Sequence, residues 1–146
     1  DIVERSMPGH SGTVQIGDPV FDERVAHQIA AVNELLLEDM DTVIWLTLPV
    51  PATFAGSHDD GAIERVERFN ALVRDAAATG HGVQVIDLAD WVAAYGPEDR
   101  TLRPDGVHFS NESSLEAGRW LGPAVLYAAS HPDDTDVDTD DVPVRR

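Results

Sequence analysis

Thr42-Val43-Ile44-Trp45-Leu46-Thr47-Leu48 is an unbroken apolar and β-branched run that Pro49 stops. A run without polar alternation predicts a strand buried on both faces, which is how strands of parallel sheets read. Parallel strands need crossover helices, and the flanking sequence supplies helical patterns on both sides. Upstream, Asp18-Pro19 reads as an N-cap followed by a first-turn proline. Phe21, Val25, Ile29, Val32 and Leu36 then recur at helical spacing. Downstream, after a polar loop containing Gly56, Asp59, Asp60 and Gly61, a second helix carries Ala62, Val66, Phe69, Val73 and Ala76 on one face and ends at Gly80.

Val83-Gln84-Val85-Ile86-Asp87-Leu88 predicts a second short strand. A helical turn around Trp91 follows, then a turn-rich loop from Gly96 to Gly106. The last helix is expected to start near Ser113, with Glu116 completing a capping box, and to kink or restart at Pro123. The order α-β-α-β-α, without repeats, predicts an α/β fold: part of a three-layer α/β/α sandwich around a parallel sheet, with its N-terminal strands missing. Two strands alone leave large apolar faces uncovered, so further strands are expected upstream.

The chain has 146 residues, enough for one modest domain. Residues 1–130 form that unit, and 131–146 read as a disordered acidic tail with six Asp and two Arg. The tail's alternating Asp pattern lacks the Gly and the Glu that an EF-hand loop needs for its turn and its bidentate ligand. Ten Arg, no Lys and 27 acidic residues give a net charge of −17, which argues against nucleic acid or an anionic membrane surface as partner. Without Cys there is no disulfide, thiolate metal site or Cys nucleophile. No apolar run approaches the ~18–20 residues needed to cross a bilayer, and no cofactor-binding motif is present. The chain opens on Asp1-Ile2-Val3-Glu4 rather than Met, so any export or membrane segment is expected upstream.

Asp105-Gly106-Val107-His108-Phe109 is the leading candidate for chemistry. Asp and His three residues apart in a loop allow the carboxylate to hold one imidazole nitrogen while the other faces a reacting hydroxyl. That is the orienter-and-base half of a Ser-His-Asp triad. The loop follows the last parallel strand, on the side where open α/β sheets keep their sites. The alternative reading of the same pair is a structural loop hydrogen bond.

Other polar groups carry less. Gly9-His10-Ser11-Gly12 has Thr13 where a nucleophile elbow needs Gly, and reads as a surface turn. Gly17-Asp18-Pro19 lacks the hydroxyl of a Gly-Asp-Ser motif. His58-Asp59-Asp60 reads as a solvated loop, His81 as a turn residue, and Trp45, Trp91 and Trp120 as core.

Taken together the chain resembles the C-terminal half of an SGNH (GDSL-type) hydrolase domain, most closely the extracytoplasmic SGNH domain fused to multi-pass acyltransferases of the third acyltransferase family. The residues that carry this run from Ile16-Gly17-Asp18-Pro19-Val20-Phe21-Asp22 and Val43 to Pro49, through Arg65 to Arg74 and Val85-Ile86-Asp87-Leu88. They end at Arg103-Pro104-Asp105-Gly106-Val107-His108-Phe109-Ser110 and Gly118 to Pro123. The resemblance implies that Asp105 and His108 are the catalytic acid and base, and that the nucleophilic Ser and the oxyanion donors lie on blocks absent from this chain. It further implies an acyl donor and a carbohydrate acceptor, no cofactor, and covalent fusion to an upstream membrane acyltransferase domain. The location would be extracytoplasmic and membrane-tethered. A free-standing secreted esterase and a non-catalytic glycan- or protein-binding domain are the alternatives.

Overall fold

In the computed structural model the described residues are 5–52, 61–96 and 100–132. They fold as a mixed α/β unit: β1 (Arg5–Ser6), β2 (Thr13–Val14), α1 (Pro19–Leu37), β3 (Val43–Leu46), α2 (Ala62–Thr79), β4 (Val83–Ile86), α3 (Leu88–Ala93) and α4 (Asn111–Ser130). β3 and β4 pair in parallel, Val43 beside Val83 through Leu46 beside Ile86, joined by the α2 crossover. β1 and β2 form a separate antiparallel hairpin that sequence reading did not anticipate, since two-residue strands carry no periodic signal.

Side-chain alternation along the strands separates two apolar clusters. Val83 and Val85 pack with Ile29 of α1 and Leu72, Val73 and Ala77 of α2, with Trp45 and Phe69 at the edge. Ile86 faces the other way, packing with Ile44, Leu46 and the Ala124–Ala128 face of α4. α1 and α2 pack in the first cluster and α4 in the second, but the two-faced burial expected of the Thr42–Leu48 run is only partly realised. β4 is buried at every residue, whereas Ile44, Trp45 and Leu46 of β3 are only half-buried.

Four local details differ from expectation. Asp18 is the N-cap of α1 and Pro19 opens the helix, as expected, but the Asp18 carboxylate bonds none of the helix N–H groups; it turns back to accept from the Gln15 N–H at 2.8 Å. The positive φ of Gly17 (102°) folds the chain into that turn. The anionic role at the helix start passes to Asp22, which accepts from the Gly17 N–H at 2.8 Å and from Arg68 Nε of α2 at 2.7 Å. That contact holds the Arg68 guanidinium above its ordinary pKa, through the hydrogen bond first and the charge second.

Val32, expected in the core, is 41% exposed, while Asn33 beside it is buried with its Oδ1 accepting from Trp45 Nε1 at 2.8 Å. The apolar stripe of α1 is thus only partly used.

α4 starts at Asn111 with Ser110 as its cap, not at Ser113. Ser110 accepts from the Ser113 N–H, and the Ser113 hydroxyl is buried and donates to Leu102 O, while Glu116 accepts from Tyr95 OH at 2.7 Å. Pro123 neither ends nor restarts the helix, which continues to Ser130 because Ala124 and Ala128 are anchored in the core. No helix among the described residues is long and apolar enough to cross a membrane. Of the acidic stretch only His131 and Pro132 lie within the described residues.

Candidate active site

The loop between α3 and α4 carries Asp105 and His108, and it is fixed at several points. Leu102 is 1% exposed, and its carbonyl accepts from both the Ser110 N–H and the Ser113 hydroxyl. Arg103 is buried, with one guanidinium N–H donating 2.7 Å to Val50 O just beyond β3. The Ala52 N–H donates to Gly106 O at 2.9 Å, and Gly106 takes a φ of 83° that favours glycine. The loop is therefore tied to the C-terminal extension of β3 and to the start of α4, and it sits at the C-terminal end of the parallel pair.

Within this frame Asp105 closes a tight turn. One carboxylate oxygen accepts from the N–H groups of Val107 (2.9 Å) and His108 (2.7 Å), and the other lies 2.8 Å from His108 Nδ1. An ionised carboxylate only accepts, so the proton of this contact sits on Nδ1, which leaves Nε2 as the basic nitrogen of the neutral ring. The hydrogen bond with the His108 ring, then those from the two N–H groups, holds the Asp105 carboxyl well below the usual carboxylate range. His108 is the more exposed partner, 81% against 57% for side chains. No hydroxyl hydrogen-bonds to its Nε2 among the described residues. The arrangement can orient an imidazole and hold it in one tautomer; its acceptor nitrogen is presented outward.

Beneath the loop Phe109 lies 6.3 Å, centroid to centroid, from Trp91, which stacks on Trp120 at 5.0 Å and meets Tyr95 edge-on at 5.1 Å. These rings tie α3, the loop and α4 together, a packing role that agrees with the expectation for Trp91 and Trp120.

A second polar constellation stands at the ends of the same strands. Thr47, fully buried, donates its hydroxyl to Asp87 Oδ1 at 2.8 Å and accepts from the Ala89 N–H at 2.9 Å. Asp87 caps α3 through the Asp90 N–H (3.1 Å) and pairs with Arg74 of α2 through Nε (3.2 Å) and Nη2. Burial pushes its carboxyl up, but the hydrogen bonds from Arg74, Thr47 and the Asp90 N–H outweigh that and hold it below its ordinary value. Sequence reading missed this network and the loop anchor Arg103, because their partners lie far along the chain. The one available signal was an Arg flanked by Leu102 and Pro104, an unusual place for a solvated cation.

The remaining candidates do not converge on the loop. Gly9, His10, Ser11 and Gly12 lie exposed in the β1–β2 connection, and His81 is exposed between α2 and β4. His58, Asp59 and Asp60 fall outside the described residues. Compared with family models, curated proteins and solved structures, this chain matches none.

Proposed function

We propose that this chain is part of an SGNH-type α/β/α sandwich that transfers or hydrolyses acyl esters of cell-surface carbohydrate. Asp105 and His108 are then its acid and base, and the serine nucleophile comes from a part of the polypeptide outside these 146 residues. The observation that carries the reading is the Asp105–His108 pair itself: a 2.8 Å contact to Nδ1 on an anchored loop at the C-terminal end of parallel strands.

In this mechanism His108 Nε2 takes the proton of the attacking hydroxyl, and the acyl carbon passes to the serine oxygen as the donor's leaving group accepts that proton. Asp105 fixes the tautomer and offsets the imidazolium charge. A sugar hydroxyl, or water, then attacks the acyl-enzyme with His108 again as base. The extracytoplasmic, membrane-tethered location belongs to the same proposal.

The test is acyl transfer from a chromogenic acetyl ester by the polypeptide extended upstream to include its first strand. His108→Ala is expected to abolish turnover while the folded fraction, read by circular dichroism, stays unchanged. Full activity in the folded fraction of that variant would assign the pair a structural role. The 146-residue chain alone is expected not to exceed buffer hydrolysis; turnover that vanishes with His108→Ala in this chain would place the nucleophile among its own serines.

A further inference from the structure

A cavity of about 190 Å³ opens at the same end of the strand pair as Asp105 and His108. It lies between the chain just beyond β3 (residues 50–52), Ile63 at the start of α2, and Ala89, Val92 and Ala93 of α3. Arg103, on the loop that carries the pair, completes its wall. Two hydrogen bonds fasten this wall to the candidate site. Arg103 donates to Val50 O at 2.7 Å, and the Ala52 N–H donates at 2.9 Å to the carbonyl of Gly106, the neighbour of Asp105. Cavity and pair thus share one frame.

The lining is chemically one-sided. Apart from Arg103, the described residues around the cavity are aliphatic or glycine. Backbone polar groups along the wall are already engaged: Val50 O by Arg103, the Ala52 N–H by Gly106 O, and the Ala89 N–H by the Thr47 hydroxyl at 2.9 Å. A sugar ring placed here would bury hydroxyls without partners, at the usual penalty for stranded polar groups. An alkyl chain has no such cost and is driven in by its own burial. The space exists because Ala52, Ala89, Ala93 and Gly96 carry little or no side chain, and Ile63 is left 37% exposed beside it. A dry apolar cavity of about 150 Å³ accommodates benzene, so this one has room for roughly six carbons.

We propose that this cavity takes the acyl chain of the ester substrate, and that it selects butyryl to hexanoyl groups over acetyl. The proposal rests on the reading of Asp105 and His108 as acid and base, and adds which half of the substrate this part of the site recognises. The carbonyl carbon lies at the nucleophile that His108 serves, and the alkyl chain extends from it into the cavity. An acetyl group is too short to use that space. Ala89 and Ile63, on the two helices that face each other across it, are the residues that set how long a chain is accepted.

Two measurements test it. In the upstream-extended polypeptide, kcat/KM is compared for the nitrophenyl esters of acetate, butyrate and hexanoate on one sample, so the ratios do not depend on the folded fraction. Each methylene taken out of water contributes about fourfold, and butyrate is expected to exceed acetate by about tenfold. Ala89→Leu, which places a larger side chain in the cavity, is expected to bring that ratio close to one. Ile63→Ala, at a position the core does not depend on, is expected to move the preference toward hexanoate. Independently of turnover, methyl hexanoate added to the 146-residue chain is expected to give saturable chemical-shift changes at the methyl groups of Ala52, Ile63, Ala89 and Ala93. Turnover with no gain from acetate to hexanoate overturns the proposal and keeps the proposed chemistry. A gain that survives Ala89→Leu with Ile63→Ala also without effect places the chain elsewhere, and overturns it too. Binding of methyl hexanoate in the cavity without turnover of any ester would sink the chemistry and keep the cavity as an acyl-chain site; neither binding nor turnover would end both.

Discussion

Asp87 and Asp105 stand at the same end of the strand pair, both ionised and both hydrogen-bonded to a basic side chain, yet they are built in opposite ways. Besides the Asp90 N–H in its own helix turn, Asp87 draws partners from Thr47 and Arg74, 40 and 13 residues away, on a strand end and a neighbouring helix. Asp105 draws all of its partners from Val107 and His108 in its own loop. The first carboxylate joins elements, so its loss is felt by the fold. The second closes a local turn that leaves one imidazole nitrogen facing outward, so its loss is felt by the histidine. A carboxylate whose contacts are all local is expected to cost the fold little when it is lost, so an exposed loop can carry such an Asp–His pair.

The largest effect separating the two is expected in turnover. In the upstream-extended polypeptide, Asp105→Asn should lower the rate by about 10⁴, the scale of the wrong-tautomer effect in serine proteases, because the amide can donate to Nδ1 and move the ring proton to Nε2. Asp87→Asn should leave the rate per folded molecule within about threefold, since Asp87 touches neither His108 nor its anchors. Steady-state hydrolysis, normalised to folded protein, checks both. Equal losses at the two positions would erase the distinction drawn here.

Stability is expected to reverse the order. Asp87→Ala leaves the Thr47 hydroxyl with a donor and no acceptor in a fully buried position, and uncaps α3. Arg74, half-exposed, recovers its hydration. The expected cost is about 1–3 kcal/mol, the penalty for a stranded buried polar group, read from urea unfolding at neutral pH. A smaller but sharper case lies at Gly82, between α2 and β4, where φ is 72° and an added Cβ would come 2.9 Å from Asp41 O. Gly82→Ala must shift backbone rather than a flexible side-chain end, so it is expected to cost about 1–2 kcal/mol in the same measurement.

This contrast also explains what the sequence made legible. The strand run from Thr42, the helices around Ile29 and Val73, and the Asp105–His108 pair are all short-range patterns, and each stands where reading placed it. Patterns whose meaning depends on distant chain were misread or missed. Ser113 looks like a cap because of Glu116, but Leu102 O and Tyr95 take those two side chains. Val32 sits in an apolar stripe that its neighbours along the chain justify, while the sheet beneath reaches only part of that stripe. The partners of Arg103 and Asp87, Val50 for the first and Thr47 and Arg74 for the second, lie too far along the chain for spacing to show. Local spacing encodes the strand, the helices and the Asp105–His108 turn; it does not encode which carbonyl waits on the other side of the core.

The smallest expected effect is the acid response, and its sign follows from the two carboxylates. Both are held below their unfolded values, so each contributes stability that is complete above about pH 4 and is lost as pH falls through the folded value. For Asp87, enclosed by Thr47 and Arg74, that contribution reaches the fold, and wild-type unfolding should become easier between about pH 4 and pH 2. Asp87→Asn should flatten that slope, since an amide does not titrate. Asp105 is shifted further down, but it is solvent-exposed, so screening reduces what its ionisation contributes to folding. Asp105→Asn should therefore leave the acid slope of the melting temperature within experimental error of wild type. Melting curves of the three proteins from pH 2 to pH 7 decide it. A slope that follows Asp105 instead would make the loop a structural clasp, and the exposed imidazole would then be a by-product of the turn.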